Sequence, residues 1–125
     1  MKLLCDTHVF IWLFAGDRKL LAATVDMIEN PANGLYFSVA SLWEAEIKKA
    51  KGKLDWPDDA LAKLREVGVG LVDMAPPDAL AAARLPRHHN DPFDRMIIAQ
   101  AINRNLTIVT ADAAFRDYPV PQIGA

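Results

Sequence analysis

The stretch "DPFDRMIIAQAINRNLTIVTAD", residues 91–112, sets a helix directly before a buried strand. Asp91 suits an N-cap, Pro92 suits the first helical position, and Asp94 favours the positive end of the helix it enters. The residues up to Asn105 read as that helix. "LTIVT", residues 106–110, is a short apolar run of the kind that fills a strand covered on both faces. "ADAAF" follows as a turn or short helix. Strand and helix in alternation are what parallel sheets are built from.

The same alternation extends outward from this stretch. "KLLCD" gives a strand from Lys2 to Cys5, after which Thr7 offers an N-cap to a helix through Val9, Phe10, Leu13 and Phe14, stopped near Gly16. Leu20, Leu21, Val25 and Ile28 recur at helical spacing, and Asn30, Pro31 and Gly34 break the pattern. "LYFSV" is a second strand, followed at once by the helix "SLWEAEIKKAKGKL", which ends near Gly52. A helix over Asp58–Val67, the strand "GLVDM" and the short helix "PPDALAAARL" complete the middle, and "YPVPQI" is a last, proline-limited edge strand. The pattern predicts an α/β sandwich with a mainly parallel sheet and leaves the strand order open.

The bulk properties fit one soluble domain. A chain of 125 residues is the length of a single domain, and 52% hydrophobic residues suffice for a core. A net charge of −2 supplies no basic field for nucleic acid, so a polyanion partner requires a local basic patch or a bound cation. Cys5, the one cysteine, has no intrachain partner, which suits a reducing cytoplasm. Lys2 precedes an apolar run, but Asp6 and His8 interrupt it, so a signal peptide is not expected. No stretch approaches the ~20 apolar residues of a membrane span.

Four carboxylates fall at comparable places. Asp6 directly follows the first strand, and Glu44 lies in the first turns of the helix after the second. Asp94 lies in the first turn of the helix before "LTIVT", and Asp112 lies just past that strand. Ligands of open α/β sheets bind outside the carboxyl ends of the strands. Asp6, Glu44 and Asp112 converge there, and Asp94 joins them if its helix starts on that side. Each acid also has a plain structural reading. Asp6 ends a strand or caps a helix, Glu44 completes a capping box with Ser41, Asp112 caps "ADAAF", and Asp91 and Asp94 begin a helix. Convergence tips the balance, because clustered carboxylates repel and rise in pKa unless a cation relieves them. Oxygen donors without a matching Cys/His set point to Mg²⁺ or Mn²⁺ rather than zinc, and such acid clusters commonly act on phosphate.

With these motifs the chain resembles PIN-domain ribonucleases, specifically the VapC toxins of bacterial type II toxin–antitoxin systems. The resemblance rests on "LLCDTHVFIWLF", "FSVASLWEAEIKKAKGKL", "HNDPFDRMIIAQA" and "LTIVTADAAFRDYPV", in that order along the chain. Residues from about Trp56 to Arg87 carry no distinctive motif. The resemblance implies a three-layer α/β/α sandwich with a parallel central sheet, and an acidic pocket holding Mg²⁺ or Mn²⁺. By motif, Asp6, Glu44, Asp94 and Asp112 match the pocket acids, and Thr110 matches the hydroxyl that supports them. Asp91 matches the first acid of "DPFDR", a cap and support rather than a ligand. Thr7 and Arg95 are further supporting positions, with Arg95 either pairing with a pocket acid or contacting phosphate.

The mechanism expected from that resemblance is RNA phosphodiester hydrolysis by a metal-activated water. Asp6, Asp94 and Asp112 hold the metal, Glu44 joins them directly or through a water, and Glu44 or Asp94 handles the proton. Transfer RNA is among the candidate substrates. Lys48, Lys49, Lys51 and Lys53 form one basic run, and Arg84, Arg87, His88 and His89 another, either as phosphate contacts or as solvated surface. The histidines show no partner spacing for a metal site. Trp12, Phe14, Trp43 and Trp56 either stack on bases or belong to the core, a dimer face or an antitoxin face. The resemblance further implies a homodimer and a VapB-type antitoxin. Two rivals remain: another phosphoryl-transfer enzyme, a phosphatase or a receiver-like domain with its aspartate after the first strand, and a non-catalytic interaction module whose acids are caps only.

Overall fold

Leu3, Leu4 and Cys5 are completely buried although they are consecutive, so the strand that carries them is covered on both faces. This strand, β1 (Lys2–Cys5), is the centre of the sheet in the computed structural model, which describes residues 1–125. It is followed by α1 (Thr7–Ala15), α2 (Ala22–Glu29), β2 (Gly34–Ser38), α3 (Val39–Ala50), α4 (Ala60–Glu66) and β3 (Val69–Val72). The chain continues through α5 (Pro76–Arg84), α6 (Pro92–Arg104), β4 (Thr107–Thr110), a 3₁₀ turn (Ala113–Asp117) and β5 (Gln122–Gly124).

The sheet has five strands in the order β3-β2-β1-β4-β5, and every adjacent pair is parallel. The edge strand begins only at the end of "YPVPQI", at Gln122, and runs on to Gly124, pairing Ile108 with Gln122 and Val109 with Ile123. Alternation along the strands divides the core into two layers. Leu3, Cys5, Phe37 and Val109 face one layer with Phe10, Trp56 and Leu64. Leu4 and Ile108 face the other with Ile97, Ile98, Ala101, Phe115 and Tyr118. Helices therefore cover both faces, and the expected α/β/α sandwich is present.

Strand order decides where a site can form. The chain runs outward from β1 through β2 to β3, then returns by α5 and α6 to place β4 on the other side of β1. The reversal puts a topological switch point between the carboxyl ends of β1 and β4, where open α/β sheets bind ligands.

Two helix starts differ from the sequence expectation. Asp6 caps α1 in place of Thr7, accepting the His8 amide at 2.8 Å, because the Thr7 hydroxyl is directed across to Glu44. Ser38 caps α3 in place of Ser41, accepting the Ala40 amide at 3.1 Å. The helix starts at the hydroxyl of the strand's own last residue, which leaves Ser41 buried within it and Glu44 past the capping position. Glu44 therefore makes no capping box. The start of α6 follows expectation: Asp91 accepts the amides of Phe93 at 2.8 Å and Asp94 at 3.3 Å, with Pro92 at the first position.

Candidate active site

Each pocket acid is delivered by a different element, and the chain needs nearly its whole length to bring them together. Asp6 leaves the end of β1, with one carboxylate oxygen on the His8 amide and the other accepting the Thr110 hydroxyl. The same Thr110 oxygen accepts the Asp112 amide at 3.0 Å, so one side chain ties the ends of β1 and β4 together. Asp112 caps the 3₁₀ turn through the Ala114 amide at 2.9 Å and leaves its other oxygen toward the pocket. Glu44 reaches in from α3, accepting the Thr7 hydroxyl at 2.8 Å and Lys48 at 3.3 Å. Asp94 enters from the first turn of α6.

These groups line a cavity of about 210 Å³ whose nine residues include no hydrophobic side chain: Asp6, Thr7, His8, Glu44, Lys48, His89, Asp91, Asp94 and Asp112. Five of them are carboxylates and one is a lysine. All four acids expected to converge do so, Asp91 sits beside them as cap and lining residue, and Thr7 and Thr110 hold Glu44 and Asp6 as described. A larger cavity of about 440 Å³ shares Asp112 with the pocket and is lined also by Thr110 and by Arg116 beyond β4 and β5.

Burial raises two of the pocket acids, and neighbouring carboxylates add to the effect at Asp94. Burial pushes Asp6 above the usual carboxylate range, with the Thr110 and His8 hydrogen bonds opposing it. Burial, and after it the charge of Asp91, raises Asp94 to about 7 against the His89 hydrogen bond that lowers it. Protonation or a cation can relieve such a cluster. The donors here are mainly hard oxygens with Lys48 as the only permanent cation, a set suited to Mg²⁺ or Mn²⁺.

Arg95 pairs with no pocket acid. Its guanidinium is turned from the pocket and donates to the carbonyls of Ala82, Leu85, Pro86 and His89 at 2.8–3.1 Å. Arginine's fork of donors suits such a cluster, and the residue fastens the segment between α5 and α6. That segment carries His89, which sequence reasoning assigned to a surface basic run. His89 Nε2 lies 2.7 Å from Asp94 Oδ2 and 3.9 Å from Asp112 Oδ2. A usable signal was its place two residues before the N-cap Asp91, since chain entering a cap folds back over the first helical turn.

The aromatic residues separate by burial. Trp56 is 2% exposed and packs against Phe14 and Phe37, while Trp12 lies against His8. Trp43 is 57% exposed and meets Phe93 edge-on, beside Glu44 and Asp94. Of the basic runs, Lys48 lines the pocket, Lys49 pairs with Asp58, and Lys51, Lys53, Arg84, Arg87 and His88 are exposed.

Residues 3–121 match the family model described as "PIN domain". The chain belongs to the PIN-domain family. This PIN domain is 32% identical over 126 residues to Ribonuclease VapC22 of Mycobacterium tuberculosis, a match covering 95% of this chain and 93% of that one. That kinship groups it with the VapC-type ribonucleases. Its fold is also that of the VapBC2 structure from Rickettsia felis bound to a promoter DNA fragment, with TM-score 0.71 at 14% identity over 99% and 98% of the two chains. The DNA-bound VapBC of Salmonella typhimurium gives 0.68 at 20% identity, covering 99% of this PIN domain and 98% of that chain. FitAcB of Neisseria gonorrhoeae gives 0.67 at 20% identity over 97% and 96%. Membership in this family sets aside the phosphatase and receiver-like readings.

Proposed function

We propose that the chain is a VapC-type toxin, an endoribonuclease that hydrolyses RNA phosphodiester bonds with Mg²⁺ or Mn²⁺ held among Asp6, Asp94, Asp112 and Glu44. The observation that carries this reading is the wholly polar pocket at the switch point, where Asp6 and Asp94 are held above their ordinary pKa without an arginine partner. A divalent cation bound there would supply Lewis acidity toward a phosphodiester and toward the attacking water.

The chain's own groups do the rest. Asp6, Asp94 and Asp112 are the direct holders, and Glu44 contributes directly or through a water. Thr110 fixes the angle of Asp6, and Thr7 fixes that of Glu44. Glu44 or Asp94 would accept a proton from the water as its oxygen bonds to phosphorus; the P–O3′ bond breaks and the departing 3′-oxygen takes a proton from solvent, giving a 5′-phosphate and a 3′-hydroxyl. Lys48, now 3.3 Å from Glu44, is the cation within reach of an incoming phosphate. Lys51 and Lys53 extend that attraction beyond α3, and exposed Trp43 offers a face for a base.

Kinship with VapC22 and the likeness to VapBC complexes support a VapB-type antitoxin as partner; inhibition by it, a homodimeric assembly and a cytoplasmic setting belong to the same proposal. Incubating the purified chain with single-stranded RNA and transfer RNA, with and without Mn²⁺ or Mg²⁺, tests the activity. Cleavage that requires the cation and disappears in Asp6→Asn is expected. Equal cleavage by that variant would refute the assignment. No RNA cleavage and no acid-dependent Mn²⁺ binding in calorimetry would favour the non-catalytic module.

A further inference from the structure

Apart from the Lys48 ammonium, the nitrogen that stands against the pocket carboxylates is an imidazole nitrogen of His89, and several contacts hold it there. The His89 amide donates to the Tyr118 hydroxyl at 2.9 Å, and its carbonyl accepts from Arg95 at 3.1 Å. Arg95 is itself spread over the carbonyls of Ala82, Leu85 and Pro86, so the backbone beneath the imidazole is fastened from both sides. The ring then directs Nε2 at two carboxylates from different elements, 2.7 Å from Asp94 and 3.9 Å from Asp112. The other histidines do not share this contact: His8 also lines the pocket, but its ring lies against Trp12 and forms no ion pair with a carboxylate, and His88 is exposed against Tyr118.

The three potential donor atoms lie within 4.8 Å of one another. Donors on one first-row divalent ion, each about 2.1 Å from it, stand ~3 Å apart when adjacent and ~4.2 Å apart when opposite. The 3.9 Å between His89 and Asp112 lies within that range, and the 2.7 Å between His89 and Asp94 is a hydrogen bond that an ion would open by a few tenths of an ångström.

We propose that His89 Nε2 is a ligand of the pocket cation, making its coordination mixed nitrogen and oxygen and biasing the site toward Mn²⁺ over Mg²⁺. This rests on the reading above that the pocket holds a divalent cation. Mg²⁺ is a hard ion with a strong preference for oxygen, whereas the affinity of nitrogen-containing sites rises across the first-row transition ions. An all-carboxylate pocket has no such reason to discriminate. The contrasting role for His89 is positioning alone, in which Nε2 orients the Asp94 carboxylate from outside and makes no bond to the ion.

The two roles differ in whether a nitrogen nucleus is bound to the metal. Electron spin-echo modulation of Mn²⁺ bound to the full-length chain reads that directly, with ¹⁵N-histidine labelling to assign the signal. Coupling of directly bound imidazole nitrogen is expected, shifted on labelling and absent in His89→Gln. In competition titrations, His89→Gln should lose roughly tenfold or more in Mn²⁺ affinity and distinctly less in Mg²⁺ affinity. His89→Asp should restore binding and move the preference back toward Mg²⁺. Mn²⁺ binding by the unaltered chain without nitrogen coupling would overturn the proposal while leaving the metal reading intact. So would an equal loss of both ions in His89→Gln. No Mn²⁺ binding by the unaltered chain would overturn both.

Discussion

Asp78 and Asp94 occupy the same local grammar and finish at opposite ends of the carboxylate range. Each is the third residue of a helix that opens with proline, "PPD" in α5 and "PFD" in α6. Asp78 caps its own helix, accepting the Ala75 amide at 2.9 Å, and also takes Asn103 at 3.0 Å and both Arg104 nitrogens at 2.8 Å. The Arg104 hydrogen bonds lead in lowering it to about 2. At α6 the cap is Asp91, which satisfies the first amides itself and frees the Asp94 side chain. The adjacent cation, Arg95, is engaged with carbonyls. Asp94 rises to about 7. A buried acid with a full complement of donors fastens helices, and one denied them is available to a ligand.

The comparison can be broken in several places. Asp94→Asn is expected to lower RNA cleavage by about a hundred- to a thousandfold while leaving the melting temperature unchanged or higher, since it removes an uncompensated charge. Cleavage near the parent rate would end the distinction. Asp78→Ala should do the reverse, costing about 2–3 kcal/mol in denaturant unfolding with cleavage per folded molecule preserved. A matching loss of cleavage would show that the α5–α6 tie reaches the pocket. Asp91→Ala tests how Asp94 is kept free. It should cost about 1 kcal/mol as a lost cap, and it should also weaken Mn²⁺ binding as Asp94 folds back toward the amide of residue 91, as Asp78 does toward Ala75. Unchanged Mn²⁺ affinity in calorimetry would mean that Asp94 is held by something else.

The smallest effect is one of sign. From about pH 4 to about 7 the folded chain keeps a proton on Asp94 that the unfolded chain has released, so this acid's contribution to stability falls as pH rises. Asp78 acts oppositely: its contribution is present above about pH 4 and is lost as pH falls toward 2. Thermal melts of the metal-free chain should therefore decline by a few degrees between about pH 5 and 8, with Mn²⁺ restoring the loss at the upper end. A melting temperature that climbs over that interval without metal would count against the raised Asp94.

Much of the layout was legible because it depends on local pattern. The both-face burial of β1 is written in "LLC", the start of α6 in "NDP", and the convergence of Asp6 and Asp112 in their places after strands. What escaped depends on partners distant in sequence. Nothing near Thr7 says that its hydroxyl serves Glu44, 37 positions away, and leaves capping to Asp6. Ser38 and Ser41 are equivalent in sequence, and the end of β2 chooses between them. Arg95 sits next to a pocket acid, yet four carbonyls elsewhere claim its guanidinium. His89 entered the pocket only because that guanidinium and Tyr118 fold its segment inward. Strand order, which creates the switch point, had no local signature at all.

The bond between Thr110 and Asp6 spans 104 positions of chain. During synthesis, β1 must wait for β4 to emerge before it gains that neighbour. Until then an emerging polypeptide has Asp6 and Glu44 but lacks Asp94 and Asp112, so the complete set of acids assembles only after most of the chain has left the ribosome. Such long-range closure is slow compared with forming single helices. Any hydrolytic power of the pocket is thus withheld from unfinished chains by topology, before a partner protein has anything to restrain.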